Sequence, residues 1–376
     1  MILSDNRTIY KCPKDGSRLE AINYRPVSVI SVFSKVIEKH YERSMLDHVN
    51  KILSKYLSGF RKGYSCQSVL LRLTEEWRKH LDQNKVVGAL LMDLSKAFDC
   101  LPHDLLLAKL EAYGFEIKTL NLFFSYLRKR RQYVNINGTI SDILEIISGV
   151  PQGSILGPIL FNIFMNDFIQ HIKSTNTHNY ADDNTLSAIA ETIEKLINLL
   201  EKGASEATDW LDMNFMIANV TKFHAIVATK GKQNTVGLPV KVGNIVIKTE
   251  EIVKLLGVSL DNKMAFDNHI TNLLKQASSK LNAIKRVDKY LNKSQKNTLC
   301  HSYVLSYFQH CCLAWHFGNT GNIHRLEKLH ERVIRFTYKD YDTDYFELLQ
   351  ENNLCTYVAK YSKFNLILKM VICVNF

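Results

Sequence analysis

Nowhere in the sequence do about 18 apolar residues follow one another, the length a membrane-spanning helix needs. Met1 to Lys11 lacks the apolar core of a signal peptide. Glycine and proline are scarce, 16 and 6 among 376 residues, which argues against extended disorder and fibrous repeats. There is no internal repeat and no low-complexity linker. None of the eight cysteines stands in C-x-x-C spacing, and a chain this long needs no disulfide staples, so they read as reduced thiols. Cys300, His301, His310, Cys311, Cys312 and His316 crowd one stretch without matching a common zinc pattern. That stretch also carries Tyr303, Tyr307, Leu313 and Trp315, and it reads as a core helix.

What is present is apolar material, 46% of the chain, enough for a sizeable core in two or three lobes. The net charge of +11 suits a polyanionic partner. With no membrane segment in view, that partner is expected to be nucleic acid, no membrane is expected, and the compartment is expected to be intracellular, cytoplasm and/or nucleus.

Residues 1–25 look irregular, with a turn at Pro13-Lys14-Asp15-Gly16. A helix follows Pro26, with Val32, Val36, Ile37, Tyr41 and Met45 at helical spacing, and a second spans about 67–81. Val86 to Met92 is an unbroken apolar run too short for a typical helix; it reads as a buried strand delivering Asp93. Helices over 103–113 and 117–130 precede a hairpin that turns at Asn137-Gly138 and returns to about Ile147. Gly149 to Pro158 is a Gly/Pro-punctuated loop leading into an apolar helix, Ile159 to Ile172. A tighter hairpin is expected over 178–188, tipped by Ala181-Asp182-Asp183-Asn184, then a helix over about 191–213. Strand-like runs occupy 223–228, 240–247 and 253–260, and everything from 266 onward reads as helical. The fold class is therefore α+β with an all-helical C-terminal end.

The strongest chemical signal is acidic. Adjacent carboxylates on a tight turn repel each other unless a cation neutralises them. Alone, Asp182-Asp183 reads as a solvated turn. Asp93 at the end of a strand adds a second acidic site, and two Mg²⁺ ions beside such groups can clamp the attacking and leaving oxygens of a phosphoryl transfer.

The ordered motifs sharpen this. Tyr180-Ala181-Asp182-Asp183 resembles the Y-x-D-D signature of reverse transcriptases, and the stretch from Leu91 to Asp99 resembles their first palm motif. Ser148-Gly149-Val150-Pro151-Gln152-Gly153-Ser154-Ile155-Leu156-Gly157-Pro158 matches the motif between them. Further matches are Asn23-Tyr24-Arg25-Pro26-Val27-Ser28, Ser58-Gly59-Phe60-Arg61-Lys62-Gly63 and Leu255-Leu256-Gly257-Val258. From about Tyr10 to Tyr338 the chain resembles the reverse transcriptases of non-LTR retrotransposons, of jockey-like, LINE type.

The resemblance implies a right-hand polymerase, with fingers and palm of mixed helix and antiparallel sheet and a helical thumb. It divides the chain into fingers over 1–85 with the 116–148 hairpin region, palm over 86–115 and 149–262, and thumb with a C-terminal extension over 263–376. It implies RNA-directed DNA polymerisation with an RNA template, a DNA primer and deoxynucleoside triphosphates. Asp93, Asp182 and Asp183 would be the catalytic carboxylates and ligands of two Mg²⁺ ions, with Mn²⁺ as substitute. Phe98 would exclude a 2′-hydroxyl, with an ordinary core Phe as the other reading. Arg61 and Lys62 would grip the triphosphate, with Arg25 a weaker candidate; Gln152 and Gly153 would touch the nucleotide, and Lys222 the pyrophosphate.

Arg325, Lys328, Arg332 and Arg335 recur at spacings of three, four and three on one helical face, with Leu326, Leu329, Val333 and Phe336 on another. They are expected to lie along the backbone of a hybrid duplex, or to be a solvated face. Arg128-Lys129-Arg130-Arg131 carries the same two readings. Cys66 and Phe223 stand where relatives of this type often carry Thr. An endonuclease domain is expected to be absent from this chain, and no room is seen for a ribonuclease H. Two alternatives stay open: a truncated, inactive retroelement fragment that only binds nucleic acid, and an RNA polymerase of the same palm, against which Phe98 argues.

Overall fold

The computed structural model describes residue 28 and residues 30–356 except 134, 137, 138, 232, 317 and 318, together with the backbone of three short strands nearer the N-terminus. Those strands are β1 (Arg7–Thr8), β2 (Cys12–Pro13) and β3 (Tyr24–Arg25). Then come α1 (Val32–Ile52), α2 (Cys66–Asp82), β4 (Val86–Met92), α3 (Ala97–Cys100), α4 (His103–Ala112) and α5 (Ile117–Leu127). Four short strands follow, β5 (Arg131–Tyr133), β6 (Asn135–Ile136), β7 (Thr139–Ile140) and β8 (Leu144–Glu145). Next are α6 (Gly157–His171), β9 (Asn176–Tyr180), β10 (Asp183–Ala190) and α7 (Ile193–Met213). Strands β11 (His224–Ala228), β12 (Pro239–Val242), β13 (Ile245–Glu250), β14 (Ile252–Leu255) and β15 (Val258–Asp261) complete the sheet elements. From Asp267 on, the described residues form only helices: α8 (Asp267–Arg286), α9 (Lys293–Cys300), α10 (Ser306–Gln309), α11 (Cys312–Trp315), α12 (Thr320–Tyr338) and α13 (Tyr345–Glu351), with short 3-10 and π turns between. No helix among them is long and apolar enough to cross a membrane.

The principal sheet runs β12-β13-β11-β4-β10-β9, so β4 is an interior strand. All seven of its residues are buried, as an unbroken Val-Val-Gly-Ala-Leu-Leu-Met run requires. The expected mixed α+β body with a helical end is what the chain forms. The runs 240–247 and 253–260 are each two strands rather than one. The first breaks after Val242 at Gly243, whose φ is 56°; the second breaks at Leu256-Gly257, both at positive φ, the signature of a two-residue hairpin turn. The turns expected at 13–16 and at Asn137-Gly138 lie wholly or partly outside the described residues, although β6 and β7 pair on either side of the latter.

Two compact units divide the chain: Met1–Tyr64 with Gly88–Ala225 and Leu238–Lys248, and Ser65–Val87 with Ile226–Gly237 and Thr249–Phe376. In the first, α6 is apolar nearly all round and correspondingly buried. Phe164 and Phe168 meet Trp210 of α7 edge-on, with ring centroids 6.0 and 5.1 Å apart. Lys109 crosses the same core, donating to the Phe164 carbonyl at 2.9 Å and to Asp167 at 2.8 Å; burial lowers its pKa.

Helix α1 forms where the spacing predicts and buries Met45, but its first apolar residues face solvent. Val32, Phe33, Val36 and Ile37 are exposed, and the buried face is Ser34, Glu38, Met45 and Val49. The reason is Glu38, whose Oε2 accepts from Ser154 Oγ at 2.9 Å, Ile155 N at 2.6 Å and Leu156 N at 3.4 Å. A carboxylate with three donors can be buried where a lone one could not. The basic run also departs from a uniform solvated face: Arg130 is buried over the Tyr126 ring, and Arg128 pairs with Asp104.

In the second unit, Ser65 and Ser68 form a capping box that starts α2. Cys300, Cys311, Cys312, Leu313 and Trp315 are buried as core, whereas Tyr303 is exposed. No cluster of three or more His, Cys, Asp or Glu able to hold a metal ion occurs among the described residues, in this stretch or elsewhere. His269, buried against Trp315, has its pKa pushed down to about 4, mainly by burial.

Candidate active site

Asp93 follows β4 directly, and Asp183 opens β10, the neighbouring strand. Strands β9 and β10 pair antiparallel with Asp183 opposite Tyr180, so Ala181 and Asp182 form a two-residue hairpin loop. Ala181 has φ 58°, a conformation glycine usually supplies. The surroundings impose it. Asn179 donates to the Ala181 carbonyl at 2.9 Å and to Asn184 Oδ1 at 2.7 Å, and Asn184 donates to the Asp182 carbonyl at 3.2 Å. Ser58 N donates to the Asn179 carbonyl at 3.0 Å, and Asn162 to the Gly59 carbonyl at 2.7 Å. Gly59 lies so close that a Cβ there would stand 2.3 Å from Ala181 N.

Asp93 is held from another direction. Leu94 bridges Ala218, Ser95 N donates to the Ile217 carbonyl at 2.8 Å, and Asn219 N donates to the Asp93 carbonyl at 2.9 Å. Asp93 Oδ2 has Asn219 Nδ2 and Lys222 Nζ each 3.4 Å away. Lys222, a candidate from its motif alone, is thus placed on a catalytic candidate.

The loop 148–158 is bonded to the stretch after Asp93. Gly149 N donates to the Leu101 carbonyl at 2.7 Å and Val150 N to the Phe98 carbonyl at 2.8 Å. Ser148 Oγ donates to the Asp99 carbonyl at 3.0 Å. Gln152 Nε2 reaches both Asp99 carboxylate oxygens at 3.0 Å, which fixes its amide. Gly153, exposed, has φ 110°, and a Cβ there would stand 2.8 Å from the Ser28 carbonyl oxygen. Phe98 stacks on Phe161 with centroids 4.3 Å apart and meets Phe60 edge-on at 5.8 Å. Tyr126 OH lies 2.5 Å from Ser154 Oγ, and burial, with Glu38 nearby, pushes its pKa up to about 12. Glu38→Ala would leave Ile155 N without its acceptor inside this loop. We expect a loss of roughly 2–4 kcal/mol, read by urea denaturation, with Glu38→Gln recovering most of it.

The remaining candidates are placed as follows. Arg61 donates Nη1 to the carbonyls of Ser54 and Leu57 at 2.7 and 2.9 Å and stacks over Tyr64; burial lowers its pKa. Lys62 is exposed. The side chain of Arg25 lies outside the described residues. On α12, in the second unit, Arg325, Lys328 and Arg332 are exposed, and Leu326, Leu329, Val333 and Phe336 are buried. Arg325 is hydrogen-bonded to Asn322 and Thr271, and Arg335 to Glu331 and the Thr343 carbonyl.

Asp93, Asp182 and Asp183 do not form a closed three-carboxylate cage, consistent with the absence of such a cluster among the described residues. Mg²⁺ does not require one. It takes one or two carboxylates and completes its shell with waters and substrate phosphates, and an all-oxygen, partly exposed donor set fits that demand.

Residues 12–260 match the family model described as reverse transcriptase (RNA-dependent DNA polymerase). The chain belongs to the reverse transcriptase family. Its relatives include the probable RNA-directed DNA polymerase from transposon BS of Drosophila melanogaster, 24% identical over 83% of this chain and 36% of that protein. Another is the RNA-directed DNA polymerase from mobile element jockey of the same organism, 26% identical over 70% of this chain and 29% of that protein. The resemblance to jockey-like non-LTR elements is borne out by these relatives, and the chain spans about a third of their length. Among solved structures, apo telomerase from Candida tropicalis is similar at TM-score 0.46 and 13% identity, over 88% of this chain and 62% of that one. The motifs did not single out Gly59, Asn162, Asn179, Asn184 or Asn219. The legible signals were polar Asn162 in the most apolar part of its helix and an Asn three residues before Lys222.

Proposed function

We propose that the chain catalyses RNA-directed DNA synthesis for a non-LTR retrotransposon, extending a DNA primer on an RNA template with deoxynucleoside triphosphates. The observation that carries this reading is the placement of Asp93 at the end of an interior strand, beside Lys222, with Asp182-Asp183 at the hairpin of the neighbouring strand. Asp93, Asp182 and Asp183 would hold two Mg²⁺ ions, or Mn²⁺, which when bound supply Lewis-acid stabilisation of phosphoryl transfer. Phe98, backed by Phe161, limits space beneath the sugar and selects the deoxy form. Gln152, clamped by Asp99, and Gly153 present an amide and bare backbone to the nucleotide. Arg61 and Lys62 bind the triphosphate, and Lys222 donates the proton that leaves with pyrophosphate.

Fingers, palm and thumb divide the chain as the motifs imply, and the exposed cations of α12 follow the phosphates of the hybrid. The working compartment is the cytoplasm or nucleus, where the templates are. The test is primer extension on a heteropolymeric RNA template with Mg²⁺, comparing deoxy- with ribonucleotides. Extension with deoxynucleotides and little with ribonucleotides supports the reading. A folded chain that binds the hybrid and extends nothing overturns it in favour of a fragment that only binds.

A further inference from the structure

We propose that Asn219 is a positioning residue that fixes which oxygen of Asp93 is offered to a cation. The side-chain amide of Asn219 could in principle point either way. Here Thr221 Oγ1 donates to Asn219 Oδ1 at 2.8 Å, so the carbonyl end is engaged and Nδ2 is turned to Asp93 Oδ2, 3.4 Å away. Lys222 Nζ stands 3.4 Å from the same Oδ2. Two donors therefore gather on one oxygen, and Oδ1 is left as the oxygen with no protein partner among the described residues. The backbone around both residues is tied by Asn219 N to the Asp93 carbonyl, Ser95 N to the Ile217 carbonyl and the Leu94–Ala218 bridge. The amide is thus carried on a frame that moves with Asp93. Asn219 precedes the one-turn 3-10 helix Val220–Lys222, which brings Lys222 round to the same carboxylate.

A carboxylate with both oxygens equivalent can rotate and bind a cation through either, or through both. Pinning one oxygen removes that freedom before the cation arrives, which is how groups hydrogen-bonded to ligand side chains raise metal affinity, typically by ten- to a hundredfold. Thr221 acts one bond further out, by holding the carbonyl end of the amide. Neither residue touches the reacting atoms.

The inference rests on the proposed cation role of Asp93, and its test does not need polymerisation. Mn²⁺ binding to the full chain, without nucleotide or template, is measured by electron paramagnetic resonance for the wild type, Asn219→Ala and Thr221→Val. We expect Mn²⁺ affinity to fall about tenfold in Asn219→Ala and less in Thr221→Val, with melting temperatures close to wild type. In steady-state extension, kcat should fall with little change in the nucleotide KM, because the interaction serves the cation and not nucleotide binding. Unchanged Mn²⁺ affinity and kcat in Asn219→Ala would overturn the assignment. So would an affinity loss matched by a collapse in thermal stability, which would mark a purely structural residue. If the wild type binds Mn²⁺ in an Asn219-dependent way yet extends no primer, the proposed activity fails and the assignment of Asn219 stands.

Discussion

Asp182→Ala combined with Asp183→Ala should reduce primer extension by about a thousandfold or more while leaving the fold and hybrid binding in place. A bound cation contributes several kcal/mol to the transition state of phosphoryl transfer, and each ~1.36 kcal/mol is a factor of ten in rate. Losing about 4 kcal/mol therefore removes about three decades. The fold should survive because the bonds that close the turn end on main-chain acceptors. They run from Asn179 to the Ala181 carbonyl and from Asn184 to the Asp182 carbonyl, and both acceptors are main-chain atoms that alanine retains. Asp183 is exposed and Asp182 half-buried, so truncation opens no cavity in the core. Removing two adjacent like charges also relieves local repulsion. Circular dichroism and hybrid binding by fluorescence anisotropy check the first half of the expectation, and gel-resolved extension the second. A double variant that still extends at more than a tenth of the wild-type rate would place the chemistry on other carboxylates.

Gly59→Ala should be nearly as damaging, for a mechanical reason. The added methyl would stand 2.3 Å from Ala181 N, 2.9 Å from Ala181 Cα and 3.2 Å from Ala181 Cβ. The first two are backbone atoms of a two-residue turn already in a left-handed conformation, so no side-chain rotation relieves the overlap. Either the hairpin shifts, or the 57–59 segment retreats. Retreat breaks the Ser58–Asn179 bond, the Leu57–Asn179 bridge and the Asn162–Gly59 bond. Overpacking of this kind costs about 1–3 kcal/mol, and a catalytic group moved by about 1 Å can lose about a hundredfold in rate. We therefore expect a stability loss of roughly 2–3 kcal/mol and extension lowered about a hundredfold. Gly63→Ala is the control. Position 63 has φ 86° but nothing within 4 Å of its Cβ, so it should cost only the roughly 1 kcal/mol of backbone strain and leave extension nearly intact. Equal activity of the two variants would mean that residue 59 does not set the hairpin.

Legibility in the sequence followed the kind of signal each feature leaves. Strand β4 was read at its observed bounds because seven consecutive apolar residues followed by Asp leave few other readings. The β9–β10 hairpin was legible from its acidic tip, and α12 from its separate cationic and apolar faces. The buried face of α1 was not legible because apolar spacing identifies a helix without identifying its neighbour. The deciding residue was Glu38, whose burial depends on donors more than a hundred residues away. Asn219 was passed over for a similar reason: a single Asn has no pattern, and its meaning comes only from lying against Asp93. Two of the three strand-like runs after α7 concealed hairpins, because a two-residue turn at Leu256-Gly257 leaves the apolar alternation almost unbroken.

The join between the stretch after Asp93 and the loop that begins at Ser148 has a consequence for divergence. Two of its links, Gly149 N to the Leu101 carbonyl and Val150 N to the Phe98 carbonyl, are made by main-chain atoms on both sides. Side-chain replacement other than by proline leaves the bonded atoms in place at those four positions, so the join is largely indifferent to drift in the sequence that forms it. The exception is Gly149, at φ 83°, where a Cβ would stand 2.6 Å from the Asp99 carbonyl oxygen. A copy of this gene can accumulate many substitutions around the two motifs without separating them, and a single methyl at residue 149 would do so at once.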